Sequence, residues 1–111
     1  MLNLTQEEQE WLDTYRKVLG ERFPGLVEDL IVFGSKARGD ATPDSDLDIL
    51  VIIQEGDHRV KRGVSSPGYH FSIGMDVVPS ILVFTVAEWD RFRRLESVFR
   101  ESVLEEGVSV Q

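Results

Sequence analysis

The chain has no cysteine, which excludes a disulfide framework and a thiolate metal site and leaves the redox compartment unconstrained. No apolar run approaches the ~18 residues that a membrane span requires, so no membrane association is expected. Cations are scarce: 12 Lys and Arg stand against 20 Asp and Glu, for a formal charge of -8. Nucleic-acid binding draws on clustered Lys and Arg that displace counterions, so extended nucleic-acid binding is not expected. The opening stretch MLNLTQEEQEWLD is polar and acidic where a secretory signal would be basic and then apolar, which makes a cytoplasmic location the expectation. Only two histidines occur, His58 and His70, and without ligand spacing they read as surface or packing residues. What remains is ordinary globular material: 111 residues, 41% hydrophobic and 29% charged, enough for a single domain over residues 1–111 with one modest core.

Hydrophobic periodicity divides the chain into elements. Thr5 and Glu8 have capping-box spacing, and Trp11, Tyr15, Val18 and Leu19 recur on one face, which predicts a helix over residues 5–23 stopped by Pro24-Gly25. Leu30 to Phe33 form a short apolar run that ends at Gly34 and reads as a buried strand. Residues 34–45, with Gly34, Gly39 and Pro43, read as a turn holding at most a short helix around Lys36 to Arg38. Residues 46–53 form a central strand: Leu47, Ile49, Val51 and Ile53 fill one face, while Leu50 and Ile52 continue the face of Asp46 and Asp48. An exposed loop is expected over residues 54–68, a third strand over 75–78 with Pro79 at its end or on an edge, and a possible continuation over 81–85. Trp89, Phe92, Leu95, Phe99 and Val103 have helical spacing, giving one helix or two broken near Glu96, with Gly107 as the C-terminal cap.

The stretch FGSKARGDATPDSDLDILV carries the chemistry. Side chains alternate along a strand, so Asp46 and Asp48 share a face about 7 Å apart. Two like charges held together raise each other's proton affinity unless a hard cation such as Mg²⁺ sits between them. Alone, the pair fits equally two solvated residues at a strand entrance. Gly34-Ser35, after a buried strand, turns the chain sharply and can offer N–H groups and a hydroxyl to a phosphate; alone it is also an ordinary turn. Asp76 is a charge set in the apolar run around Met75 and Val77, where burial without a partner would be costly, whereas Glu55, Asp57 and Glu88 flank loops or a helix start. Arg38 can donate several hydrogen bonds to phosphate or simply support the turn, and Lys36 is expected to point to solvent.

Gly34-Ser35, ten intervening residues and Asp46-Leu47-Asp48 together resemble the signature of the DNA polymerase beta-like nucleotidyltransferase superfamily. Ser35-Lys36-Ala37-Arg38-Gly39 and Ser45-Asp46-Leu47-Asp48 are similar to the GSxARG and SDxD blocks of its minimal nucleotidyltransferase (MNT) branch. The resemblance implies an α+β, two-layer fold, a small mixed sheet packed with helices. It implies two Mg²⁺ ions held by Asp46, Asp48 and Asp76, a triphosphate gripped by Gly34, Ser35 and Arg38, and in-line displacement of pyrophosphate at the α-phosphate. It further implies ATP as substrate and a HEPN-family toxin as partner, whose tyrosine would receive AMP, making this chain an antitoxin. Two other expectations stay open: an antitoxin-like binding module without turnover, and transfer to a small molecule with a second subunit supplying the acceptor pocket.

Overall fold

A computed structural model of the chain describes residues 2–42 and 45–111. Helix α1 (Gln6–Arg22) begins where the capping box places it, with the Thr5 hydroxyl accepting from the Glu8 N–H and the Glu8 carboxylate accepting from the Thr5 N–H. Its apolar face buries Trp11, Leu12, Tyr15 and Leu19. Strand β1 (Val27–Phe33) follows, and Gly34 then turns the chain into a single helical turn, α2 (Ser35–Arg38), closed by Gly39. Pro43, read above as part of this connector, lies outside the described residues.

Strand β2 (Leu47–Ile53) occupies the centre of a four-stranded mixed sheet of order β3-β2-β1-β4. It runs antiparallel to β1 and parallel to β3 (Pro79–Thr85), while the two-residue β4 (Val108–Ser109) pairs antiparallel with β1. The alternation of β2 divides the core in two. Leu47, Ile49, Val51 and Ile53 enter a cluster with Trp11, Tyr15 and Val64, whereas Leu50 and Ile52 enter a second cluster with Trp89 and Val103. Both sets are those the sequence assigns to opposite faces.

Two segments differ from expectation. Residues 54–68, expected to be an exposed loop, belong largely to helix α3 (His58–Ser72). Asp57 caps it by accepting from the Arg59 and Val60 N–H groups, and the helix runs through Gly63, Pro67 and Gly68 because its backbone is held by tertiary contacts. The Trp11 indole donates to the Gly68 carbonyl at 2.8 Å and the Tyr15 hydroxyl to the Val64 carbonyl at 2.8 Å. A Cβ on Gly68 would stand 2.5 Å from Ile81 Cδ1, so its glycine lets α3 approach β3 closely. The strand expected over residues 75–78 starts later, at Pro79: the Met75 N–H closes a turn onto the Ser72 carbonyl, and Pro79 takes the first position of an edge strand, where a missing N–H costs little. The last helical stretch is broken as the periodicity allows, into α4 (Val86–Arg94) and α5 (Val98–Glu106), with Glu96 at φ 53° between them. No helix among the described residues is long and apolar enough to cross a membrane.

Candidate active site

Antiparallel pairing sets Phe33, the last residue of β1, opposite Asp48 in β2. The next residue, Gly34, adopts φ 73°, and a Cβ there would lie 2.2 Å from Asp48 Oδ2. A side chain there would displace the Asp48 carboxylate and strain the backbone. The glycine therefore lets the backbone of the Gly34-Ser35 turn lie directly against the Asp48 carboxylate, bringing together two features that are ten or more residues apart in the chain.

Asp46 precedes β2 and is exposed, while Asp48 is half-buried. Burial and then the Asp46 charge push the Asp48 carboxyl above the usual carboxylate range, and Arg38 partly counters them. Arg38 stands at the end of α2 and reaches two carboxylates, Asp40 at 3.3 Å and Glu106 of α5 at 3.4 Å, which hold its own pKa above the ordinary value. Beside it is a cleft of about 210 Å³ lined by Phe33, Gly34, Arg38, Phe99, Ser102 and Glu106. Ser35 opens α2 and is half-buried, its carbonyl accepting from the Gly39 and Asp40 N–H groups.

Lys36 does not point to solvent. Its ammonium is buried and 3.1 Å from Glu8 Oε1, with both side chains about 4% exposed. The same carboxylate caps α1 through the Thr5 N–H, and the Lys36 carbonyl accepts from the Asn3 N–H at 2.8 Å. Lys36 thus fastens the Gly34-Ser35 turn to the start of α1. The sequence offered only one hint of this, an acid in a capping box that can serve a second partner.

Asp76 is exposed in the bend before β3, its N–H donates to Glu7 at 2.8 Å, and it lines a hollow with Thr5, Gln6, Glu7 and Glu10 of the α1 end. Among the described residues no three His, Cys, Asp or Glu side chains converge as a metal cluster. Asp46 and Asp48, two oxygen-only donors whose repulsion a cation would relieve, fit one hard divalent ion. His58 and His70 are exposed on α3, away from these aspartates in the chain and unused by them.

A mixed sheet with an aspartate at the head of its central strand, abutted by a Gly-Ser turn, is the frame of a nucleotide-handling fold. Residues 12–110 match the nucleotidyltransferase domain family, and the chain belongs to it. Its likeness to the minimal branch is direct: it is 50% identical over 56 residues to the protein adenylyltransferase MntA of Thermococcus cleftensis, a match covering 50% of this chain and 54% of that protein. The chain spans about half the length of the curated relatives it matches. A solved minimal nucleotidyltransferase superposes with a TM-score of 0.53 at 28% identity, covering 92% of this chain and 94% of that one. A toxin–antitoxin solved with AMP-PNP shares the fold, with a TM-score of 0.59 at 17% identity over 95% of this chain and 72% of that one.

Proposed function

We propose that the protein transfers a nucleoside monophosphate, AMP from ATP, to an acceptor hydroxyl, and that the acceptor is a tyrosine of a HEPN-family toxin that it neutralises. One observation carries the reading: Asp48, whose carboxyl also feels the Asp46 charge, is pressed against the backbone of Gly34, so that a cation site and a phosphate-accommodating turn share one wall. The likeness to MntA and to a toxin–antitoxin that binds AMP-PNP supports the choice of nucleotide and partner.

In this reading Asp46 and Asp48 hold Mg²⁺, which when bound neutralises phosphate charge and polarises the reacting oxygens. Gly34 lets the triphosphate approach the chain closely, and the Ser35 hydroxyl donates to it. Arg38 exchanges its carboxylate partners for phosphate oxygens, a stronger and bidentate contact for a guanidinium. The acceptor oxygen forms a bond to the α-phosphorus, the bond from that phosphorus to the bridging oxygen breaks, and pyrophosphate leaves with the electron pair. The acceptor's proton goes to water or a nearby carboxylate. The resemblance implies a second Mg²⁺, which Asp76 would help to hold and which would lower the pKa of the acceptor hydroxyl.

The test is incubation of the protein with Mg²⁺, ATP labelled at the α-phosphate, and lysate from its source, beside the Asp46→Asn, Asp48→Asn double variant. A labelled protein band in the wild type alone supports the reading, and mass spectrometry of that band identifies the acceptor residue. A specific observation favours a second reading, a binding module without turnover: Arg38 is already engaged by Glu106 and Asp40. That reading gains if the double variant still neutralises a co-purifying partner and neither form transfers label.

A further inference from the structure

In-line displacement sets the entering and leaving oxygens on opposite sides of the phosphorus. In the proposed reaction the leaving pyrophosphate sits at the Gly34-Ser35 turn, which abuts Asp48 from its β1 side. The acceptor then enters from the other side of Asp48, where β3 lies. The parallel ladder sets Ser80 beside Asp48 and Leu82 beside Leu50, and register neighbours project to the same face of a sheet. Val77 is buried in the cluster on the α1 face, so alternation puts Val78, like Ser80 and Leu82, on the Asp48 face.

The cover over that face is uneven. Trp89 of α4 and Val103 of α5 pack with Leu50, Ile52 and Phe84. Leu50 is fully buried, whereas its neighbour Leu82 is 39% exposed and Val78, toward the Asp48 end, is 60% exposed. Residues 77–85, VVPSILVFT, carry no charge in a chain that is 29% charged. An exposed strand edge is ordinarily guarded by charge. Here side chains guard its backbone instead: the Tyr69 hydroxyl accepts from the Ile81 N–H at 2.9 Å, and Glu88 accepts from the Thr85 N–H at 2.8 Å. A partner is thus offered the apolar face of β3 and not a strand to pair with.

We infer that Val78 and Leu82 form the platform that seats the acceptor, and that the group they seat is an aromatic hydroxyl presented by a protein segment. This rests on the proposal that nucleotidyl transfer takes place between the aspartates and the Gly34-Ser35 turn. A phenol lays its apolar ring on Val78 and Leu82 while its oxygen reaches the cation site at the head of β2. A serine or threonine hydroxyl has no ring to bury there. A charged or polyhydroxylated small molecule would find a single hydroxyl, that of Ser80, among apolar neighbours and would lose hydration without replacing it.

Two readouts on the full chain separate the platform from the nucleotide site: calorimetric binding of AMP-PNP with Mg²⁺, and transfer of α-label to the acceptor band of the source lysate. The variants are Val78→Asp, Leu82→Asp and, as a control on an exposed apolar residue of another element, Leu95→Asp. V78D and L82D should lower transfer about tenfold or more while AMP-PNP affinity stays within about twofold, and L95D should match the wild type in both. Mass spectrometry should place the label on a tyrosine. A folded V78D or L82D that transfers as the wild type does overturns the inference, as does an equal loss in L95D or label on a metabolite or an aliphatic hydroxyl. A parallel loss of AMP-PNP binding would assign the two residues to the nucleotide and overturn it while the site stands. If the wild type transfers no label, the nucleotidyl-transfer reading is wrong and the inference falls with it, whether or not AMP-PNP binds. Val78 is exposed and precedes β3, so V78D folds and decides the question even if L82D does not.

Discussion

Two pairs of charged residues flank the Gly34-Ser35 turn, and they are arranged oppositely. On the α1 side, Lys36 and Glu8 are buried, opposite in charge and 3.1 Å apart, and the carboxylate is further satisfied by the Thr5 N–H. On the α5 side, Asp46 and Asp48 carry like charges, and Asp48 ionises reluctantly because it is half-buried and, second, because Asp46 stands near it. A charge buried for structure is neutralised within the chain, whereas one kept for binding is left to be neutralised by what binds. The turn between them is rigid on its first side and incomplete on its second. That asymmetry is what a preformed ligand site requires.

The comparison breaks most sharply on its incomplete side. Replacing Asp46 and Asp48 together by Asn should lower nucleotidyl transfer by at least about 10³-fold, because the double change removes the whole protein-supplied anchor for the cation; incorporation of α-labelled nucleotide measures it. The complete side fails differently. Lys36→Met should destabilise the fold by about 3–5 kcal/mol by leaving Glu8 buried and unpaired, while the Lys36→Met, Glu8→Gln double variant recovers much of that loss. Urea unfolding of the single and double variants separates the two outcomes, and equal losses in both would mean that the pair contributes packing and not charge compensation.

The turn itself comes next in size. Gly34→Ala would place a methyl group 2.2 Å from Asp48 Oδ2 at a φ of 73° that alanine adopts with strain. The expected cost is about 1–3 kcal/mol, with transfer falling further than stability because the displaced group is the site carboxylate. Serine at the same position should behave alike. Wild-type activity in either variant would separate the turn from the site.

How far these features could be read from residues depended on whether the signal was local. Thr5 and Glu8 announced their cap because both partners lie within one turn of chain, and the two faces of β2 followed from alternation alone. The Gly34-Asp48 contact was legible only through the spacing of a recognised pattern. The long helix α3 was not legible, since Gly63, Pro67 and Gly68 argue locally for a loop and are overruled by Trp11 and Tyr15, which lie some fifty residues earlier and bond their tips to its backbone. Lys36 was misread for a similar reason: its partner Glu8 lies on another element, and a lysine between small residues looks solvated until that partner is known. The start of β3 was misplaced because apolar residues on both sides of Pro79 leave it open; only the register of β3 against β2 fixes it.

The smallest expected effect is also the most diagnostic of the unbalanced pair. The Asp48 carboxyl sits above its ordinary range in the folded protein, so its contribution to stability is fully present below the unfolded value and is lost as pH rises through the folded one. At neutral pH the ionised Asp48 therefore works against the fold, and Asp48→Asn in the absence of divalent cations should raise the melting temperature by roughly 1–4 °C. Near about pH 3, where the carboxyl is protonated in both states, the gain should vanish. Mg²⁺ reverses the order at neutral pH, because a ligand that binds only the wild-type folded state stabilises only that protein. Melting curves at the two pH values, with and without the cation, make the comparison; an Asn variant that melts below the wild type in metal-free buffer at pH 7 would show that the chain itself, and not a bound cation, offsets the charge of Asp48.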